Sequence, residues 1–194
     1  MRIIFLDFDG VLNNTSSESK SMEYSERMYN KLDSLVSPSN FFPIQHLFNF
    51  MYEHDIKLVI SSDWRCGAED QVKELLQLYF GHFIIDKIYY GNTPVLNMET
   101  FNRGDEINLF INTQLTLTEK TNLKYLVIDD SSHKGSLDSH PFLKTDKCVG
   151  FTYSDFARTP QYFFEEKDRE FKKKMVVGKI LMDSRLVNTI KALD

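Results

Sequence analysis

Residues Ile3-Ile4-Phe5-Leu6-Asp7-Phe8-Asp9-Gly10-Val11 decide how this chain is read. Four consecutive apolar residues suit a short strand buried on both faces, and the run stops abruptly at an acid. Asp7 and Asp9 stand two positions apart, so in extended backbone their carboxylates leave on the same side. Two carboxylates that close repel each other unless a cation lies between them. A strand of this kind ends in a polar site.

The same pattern recurs farther along. Leu58-Val59-Ile60 stops at Ser61-Ser62-Asp63, and Tyr125 to Ile128 stops at Asp129-Asp130. Between these runs lie stretches with helical periodicity. One runs from Pro43, at its start, to about His54, with Ile44, Leu47, Phe48 and Met51 on one face. A second covers Glu69 to Tyr79, with Val72, Leu75, Leu76 and Tyr79 inward and Gly81 ending it; a third covers Arg103 to Asn112, with Ile107, Phe110 and Ile111 inward. Ile84 to Tyr90 is expected as the third strand and Cys148 to Phe151 as the fifth. Residues 13–40 read as a polar loop with one short helix around Ser25 to Leu35, and the tail as a charged segment followed by a helix from Lys179 to Leu193.

Strands alternating with helices predict an α/β fold, a mainly parallel sheet covered on both faces. Helical connections bring the ends of parallel strands to one edge, where ligands gather. The three polar clusters then converge in one crevice. A lone strand-end Asp is more often a turn or helix cap. Two acid pairs ending separate apolar strands instead make a set of hard oxygen donors suited to Mg²⁺.

Composition narrows the classes. The chain of 194 residues is read as one domain, 1–194, and its net charge of -5 gives no general case for nucleic-acid or membrane binding. No apolar run approaches the length of a membrane span, and the run before Asp7 is too short for a signal peptide, so the expected setting is cytoplasmic. Cys66 and Cys148 make no metal-binding pair, and the five histidines lack ligand spacing. Lys172, Lys173 and Lys174 sit among acids and read as a solvated face. No Gly-x-Gly-x-x-Gly follows the first strand, which argues against a dinucleotide cofactor, and no phosphate-binding Gly-Lys-Ser/Thr loop occurs.

The stretch Ile3 to Val11 resembles the first motif of the haloacid-dehalogenase-like (HAD) superfamily. Lys57 to Ser61 resembles its second motif, and Tyr125 to Asp130 its fourth. Arg103 is the candidate for the third, with Lys87 and Lys120 as alternatives. The motifs stand in family order over about Ile3 to Phe151. Three further runs are similar to the HAD domains of Swiss-Army-Knife RNA-repair proteins: Ser61 to Arg65, Arg103 to Ile107, and Leu143 to Asp146 followed by Gly150-Phe151-Thr152.

The resemblance implies a Rossmann-like three-layer sandwich, capless or with a minimal flap at residues 13–40. It implies a Mg²⁺-dependent phosphomonoester hydrolase in which Asp7 attacks phosphorus and forms an aspartyl-phosphate. Asp9 would act as acid and base. Ser61, Ser62 and Arg103 would hold the phosphoryl group, and Asp7, the Asp9 carbonyl, Asp129 and Asp130 the metal, with Asp130 favoured as the direct ligand of its pair. Trp64 and Arg65 either frame the entrance or pack as an ordinary Trp and a snorkelling Arg. A small flap implies an open site and a phosphate carried on a larger molecule, with a nucleic-acid terminus as the leading substrate. A small-metabolite phosphatase, a phosphotransferase and a catalytically idle scaffold are the alternatives.

Overall fold

Arg2–Leu6 forms the first strand, β1, in the computed structural model, which describes residues 1–14, 36–65, 69–96, 102–130 and 139–165. There follow helix α1 (Pro38–Glu53), strand β2 (Lys57–Ile60), a 3-10 turn (Asp63–Arg65), and helices α2 (Glu69–Phe80) and α3 (His82–Ile88). Strand β3 (Tyr89–Asn92), helices α4 (Arg103–Gln114) and α5 (Leu117–Thr121), strands β4 (Lys124–Asp129) and β5 (Phe142–Lys144), and helix α6 (Tyr153–Arg158) complete the described order before a last 3-10 turn (Thr159–Tyr162).

The strands form one five-stranded sheet in the order β3-β2-β1-β4-β5, with every pairing parallel. β1 is central, and Leu6 stands level with Ile60 on one side and Ile128 on the other. Alternation along the strands divides the core. Ile4, Leu6, Leu58, Ile60, Leu126 and Ile128 pack with apolar residues of α1, α2, α3 and α6. Ile3, Phe5, Val59 and Val127 face the other way, onto Ile107 and Phe110 of α4 and onto Leu115. Phe5 meets Phe110 and Tyr125 edge-on at 5.7 and 5.8 Å. Each fully buried Ile, Leu or Phe here contributes about 1.5–3 kcal/mol. The result is the expected α/β sandwich, sheet in the middle and helices on both faces.

Three expected boundaries are corrected. The first helix begins at Pro38 rather than Pro43, which lies inside it. Pro38 occupies the first helical position, where a missing N–H costs nothing, while Pro43 forfeits one bond in the second turn. Ile84 to Ile88 is not strand but α3, and β3 occupies only Tyr89–Asn92. Ile84, Ile85 and Ile88 have helical spacing, and Gly81, at φ 90°, breaks α3 from α2. The fifth strand is Phe142–Lys144, not Cys148 to Phe151. Residues 146–150 instead close a turn in which the Gly150 N–H donates to the Asp146 carbonyl at 2.7 Å and Gly150 takes φ 77°. Glycine in an apolar run marked that turn.

The helices expected at Ser25 to Leu35 and Lys179 to Leu193, together with Cys66, His133 and Lys172 to Lys174, lie outside the described residues. Among the described residues no helix is long and apolar enough to cross a membrane.

Candidate active site

The parallel ladder continues one residue beyond the strand ends. Asp7 N–H donates to the Ile128 carbonyl at 3.0 Å, Ser61 N–H to Leu6 at 2.9 Å, Thr93 N–H to Ile60 at 2.8 Å, and Thr145 N–H to Asp129 at 3.0 Å. These bonds fix Asp7, Ser61 and Asp129 on one edge of the sheet. The chain builds outward from β1 through β2 to β3, then returns to place β4 and β5 on the other side. The site thus sits where the strand order reverses, the position at which open α/β sheets form their crevice.

Oxygens of Asp7, Asp129 and Asp130 all lie within 4.8 Å of one another, with Asp7 and Asp129 buried. Gly10 makes this approach possible. Its φ is 74°, and a Cβ there would stand 2.5 Å from Asp130 side-chain atoms. Thr145 Oγ1 donates to the Gly10 carbonyl at 2.8 Å, which ties the turn after β1 to the segment after β5.

Burial, and next the charge of Asp129, push the Asp7 carboxyl well above its ordinary pKa. The Arg103 charge, a hydrogen bond from the Ser62 side chain and one from the Phe8 backbone pull it back in part. Three carboxylates this close favour a bound cation, and an all-oxygen set suits Mg²⁺. The residues present therefore fit the metal.

The phosphate-holding candidates gather beside this group. Ser62 bonds Asp7, whereas Ser61 Oγ is buried without a hydrogen-bond partner among the described residues. A buried hydroxyl of that kind is costly unless a ligand oxygen meets it. Arg103 opens α4, whose first turn is fixed by a capping box between Asn102 and Asp105. Its guanidinium reaches Asp63 at 2.8 Å and Glu106 at 3.3 Å, and its Nε stands 4.0 Å from Asp129. Burial works against its charge, but Asp7, Asp63, Asp129 and Glu106 together raise its pKa above the ordinary value. The two lysine alternatives lie elsewhere. Lys87 is exposed just before β3, at the opposite edge, and the half-buried Lys120 donates to the Asn112 carbonyl at 2.7 Å.

Asp9 stands apart from the other acids. It is exposed, and its carboxylate accepts hydrogen bonds from Asn13 Nδ2 at 2.8 Å and Trp64 Nε1 at 3.0 Å. Its side chain is not among the three clustered carboxylates.

Sequence reasoning missed three participants. Arg65 does not snorkel; it is fully buried, paired with Glu106 at 2.5 Å, and it donates to the Ser62 and Thr93 carbonyls. Glu106 thus bridges Arg65 and Arg103. The only sequence signal was opposite charge in the two short runs Asp63 to Arg65 and Arg103 to Glu106. Asn40, also missed, is buried and donates to the Val149 and Phe151 carbonyls at 2.8 and 3.0 Å while accepting from Asn14 at 2.9 Å. It joins the start of α1 to the segment after β5 and to Asn14.

Residues 3–156 match a family model described as the HAD domain in Swiss Army Knife RNA repair proteins. Among solved structures, the HAD domain of effector protein Lem4 from Legionella pneumophila is similar, at 17% identity and a TM-score of 0.45, covering 82% of this chain and 93% of that one. An inactive mutant of the same domain gives 17% identity and a TM-score of 0.44, covering 93% of this chain and 98% of that one. No curated protein sequence gives a match.

Proposed function

The chain belongs to the family of HAD domains found in Swiss Army Knife RNA repair proteins, and on that premise we propose that it is a Mg²⁺-dependent phosphatase working through an aspartyl-phosphate on Asp7. The observation that carries this reading is the setting of Asp7. It lies among Asp129 and Asp130 on one side and meets Ser62 and the Arg103 charge on the other. That setting suits a nucleophile flanked by a metal site and a phosphoryl cradle.

An Asp7 oxygen attacks phosphorus, the bond from phosphorus to the leaving oxygen breaks, and Asp9 gives that oxygen its proton. Water then attacks the phosphoryl group, Asp9 takes the water's proton, and the Asp7 carboxylate is released with inorganic phosphate. Asp7, Asp129, Asp130 and the Asp9 carbonyl would hold Mg²⁺, which neutralises charge when bound. The Ser61 hydroxyl and the Arg103 guanidinium receive the phosphoryl oxygens.

The functional unit is one domain, 1–194, with the flap expected at residues 13–40 shortened to the residues before α1, which begins at Pro38, in a cytoplasmic setting. The preferred substrate is a terminal phosphate on a nucleic acid, a choice supported by the family and by the exposure of Asp9 at the mouth of the crevice. The test is phosphate release from an aryl phosphate, then from 3′- or 5′-phosphorylated oligonucleotides, mononucleotides and phosphosugars. Activity that needs Mg²⁺ and is greatest on the oligonucleotides is expected. Undiminished turnover after exhaustive chelation would overturn the mechanism. A preference for small metabolites by about tenfold, ~1.4 kcal/mol in transition-state binding, would overturn the substrate.

A further inference from the structure

Trp64 is the chain's single tryptophan, and it lies where the segment after β2 meets the turn after β1. Its ring is partly buried and meets Phe8 at 5.7 Å between centroids. The indole N–H donates to Asp9 Oδ2 at 3.0 Å. The other Asp9 oxygen accepts from Asn13 Nδ2 at 2.8 Å, and Asn13 Oδ1 in turn accepts the Gly10 N–H at 3.2 Å. One oxygen of Asp9 is therefore tied to its own turn and the other to a different strand's loop.

The Trp64 backbone N–H also lies 3.4 Å from Ser62 Oγ, and the Ser62 side chain bonds Asp7. Trp64 thus shares a support with the nucleophile. An exposed carboxylate on a short stem samples several rotamers unless donors hold it. Here an opposing force also exists, because a cation among Asp7, Asp129 and Asp130 would attract a fourth carboxylate. A general acid must stand within hydrogen-bond reach of the leaving oxygen, and an error of about 1 Å can cost on the order of a hundredfold.

We propose that Trp64 is a positioning residue for Asp9: its indole N–H holds the carboxylate at the crevice mouth, away from the three clustered acids, so that it serves the leaving group instead of the metal. This rests on the phosphatase reading above. The plainer role for Trp64 is packing against Phe8, and the substitution Trp64→Phe separates the two. It keeps an aromatic ring to pack on Phe8 and removes the indole N–H together with part of the ring, a loss of packing that would weigh on both esters alike.

The experiment compares kcat/KM, which reports steps up to phosphoryl transfer, for two esters. p-Nitrophenolate leaves with little need of a proton, whereas an alkoxide needs one. Trp64→Phe should lose about tenfold or more on an alkyl phosphate and less than about twofold on p-nitrophenyl phosphate. Equal losses on both, or no loss on either, would overturn the proposal. The single indole N–H also gives one nitrogen–proton resonance in an NMR spectrum. It should be protected from exchange in the wild type and shift in Asp9→Ala. A resonance indifferent to Asp9→Ala overturns the positioning contact whatever the kinetics. A wild type that hydrolyses neither ester overturns the phosphatase reading, and the positioning role with it, even where the indole contact is intact.

Discussion

On the β1–β4 side of the crevice, Asp7, Asp129 and Asp130 crowd within 4.8 Å of one another with like charge. On the β2–α4 side, Asp63, Arg65, Glu106 and Arg103 alternate in sign, with contacts of 2.5 to 3.3 Å linking Arg65 to Glu106, Glu106 to Arg103, and Arg103 to Asp63. Apart from the exposed Asp63 both groups are largely buried, but the second alternates in sign whereas the first sets three carboxylates together, with the Arg103 Nε 4.0 Å from Asp129. The first is retained in a form that a cation and a phosphate would complete. Buried charges that alternate in sign order the loops, and buried charges of like sign crowded together mark where chemistry happens.

The largest expected effect lies on the like-charged side. Asp7→Asn should lower turnover by about 10⁴ or more, because an amide cannot form the phosphoryl ester. Its melting temperature should hold or rise in the same variant, since an unfavourably buried carboxylate is removed. Phosphate-release assays and calorimetry on one sample check both. Full activity in Asp7→Asn would dissolve the contrast between the two sides.

The side that alternates in sign should answer in stability instead. Arg65→Met removes the closer of the two cations on the buried Glu106, leaving Arg103 and the Leu96 N–H, and should cost about 3–5 kcal/mol in chemical denaturation. The double variant Arg65→Met with Glu106→Gln should recover part of that loss, as expected when two residues share one interaction. Additive losses would show that the pair is not coupled.

A smaller effect is expected in the pH dependence. Because Asp7 titrates above its ordinary value in the folded chain, the metal-free folded state binds more protons than the unfolded state over that window. Stability relative to Asp7→Asn should then be greatest below the usual carboxylate range and fall as pH rises through the raised Asp7 value, by at most ~1.4 kcal/mol per pH unit. Saturating Mg²⁺ should flatten the slope. A wild-type curve that rises against Asp7→Asn in that window would contradict the burial argument. The smallest effect belongs to the surface pair of Lys57 and Asp55 at 2.9 Å, where Asp55 is largely exposed. Asp55→Asn should change stability by less than about 0.5 kcal/mol, and added salt should erase the difference.

Legibility in the sequence followed the same division. β1, β2 and β4 were readable because each is an uninterrupted apolar run cut off by polar residues. β3 was not, since Ile84, Ile85 and Ile88 carry helical spacing and the true strand begins only at Tyr89. β5 is three residues long with Leu143 as its buried member, too short for periodicity to register. In the site, Asp7, Ser61, Ser62, Asp129 and Asp130 follow directly from strand ends, whereas Arg103 rested on resemblance to the family's third motif. Arg65 and Glu106 were hidden because a buried arginine looks like any surface arginine until its partner 41 residues away is known. The direction of the Asp9 side chain was hidden for the same reason, set in part by an indole 55 residues distant.

The central claim is that Asp7 becomes covalently phosphorylated. Enzyme mixed with a phosphomonoester and Mg²⁺, quenched in acid within milliseconds and digested for mass spectrometry, tests it directly. The account predicts an acid-stable, hydroxylamine-labile phosphate on the peptide carrying Asp7, absent when the metal is chelated and absent in Asp7→Asn. Phosphate found on Ser61, Ser62 or a histidine, or turnover that continues in Asp7→Asn, would contradict it.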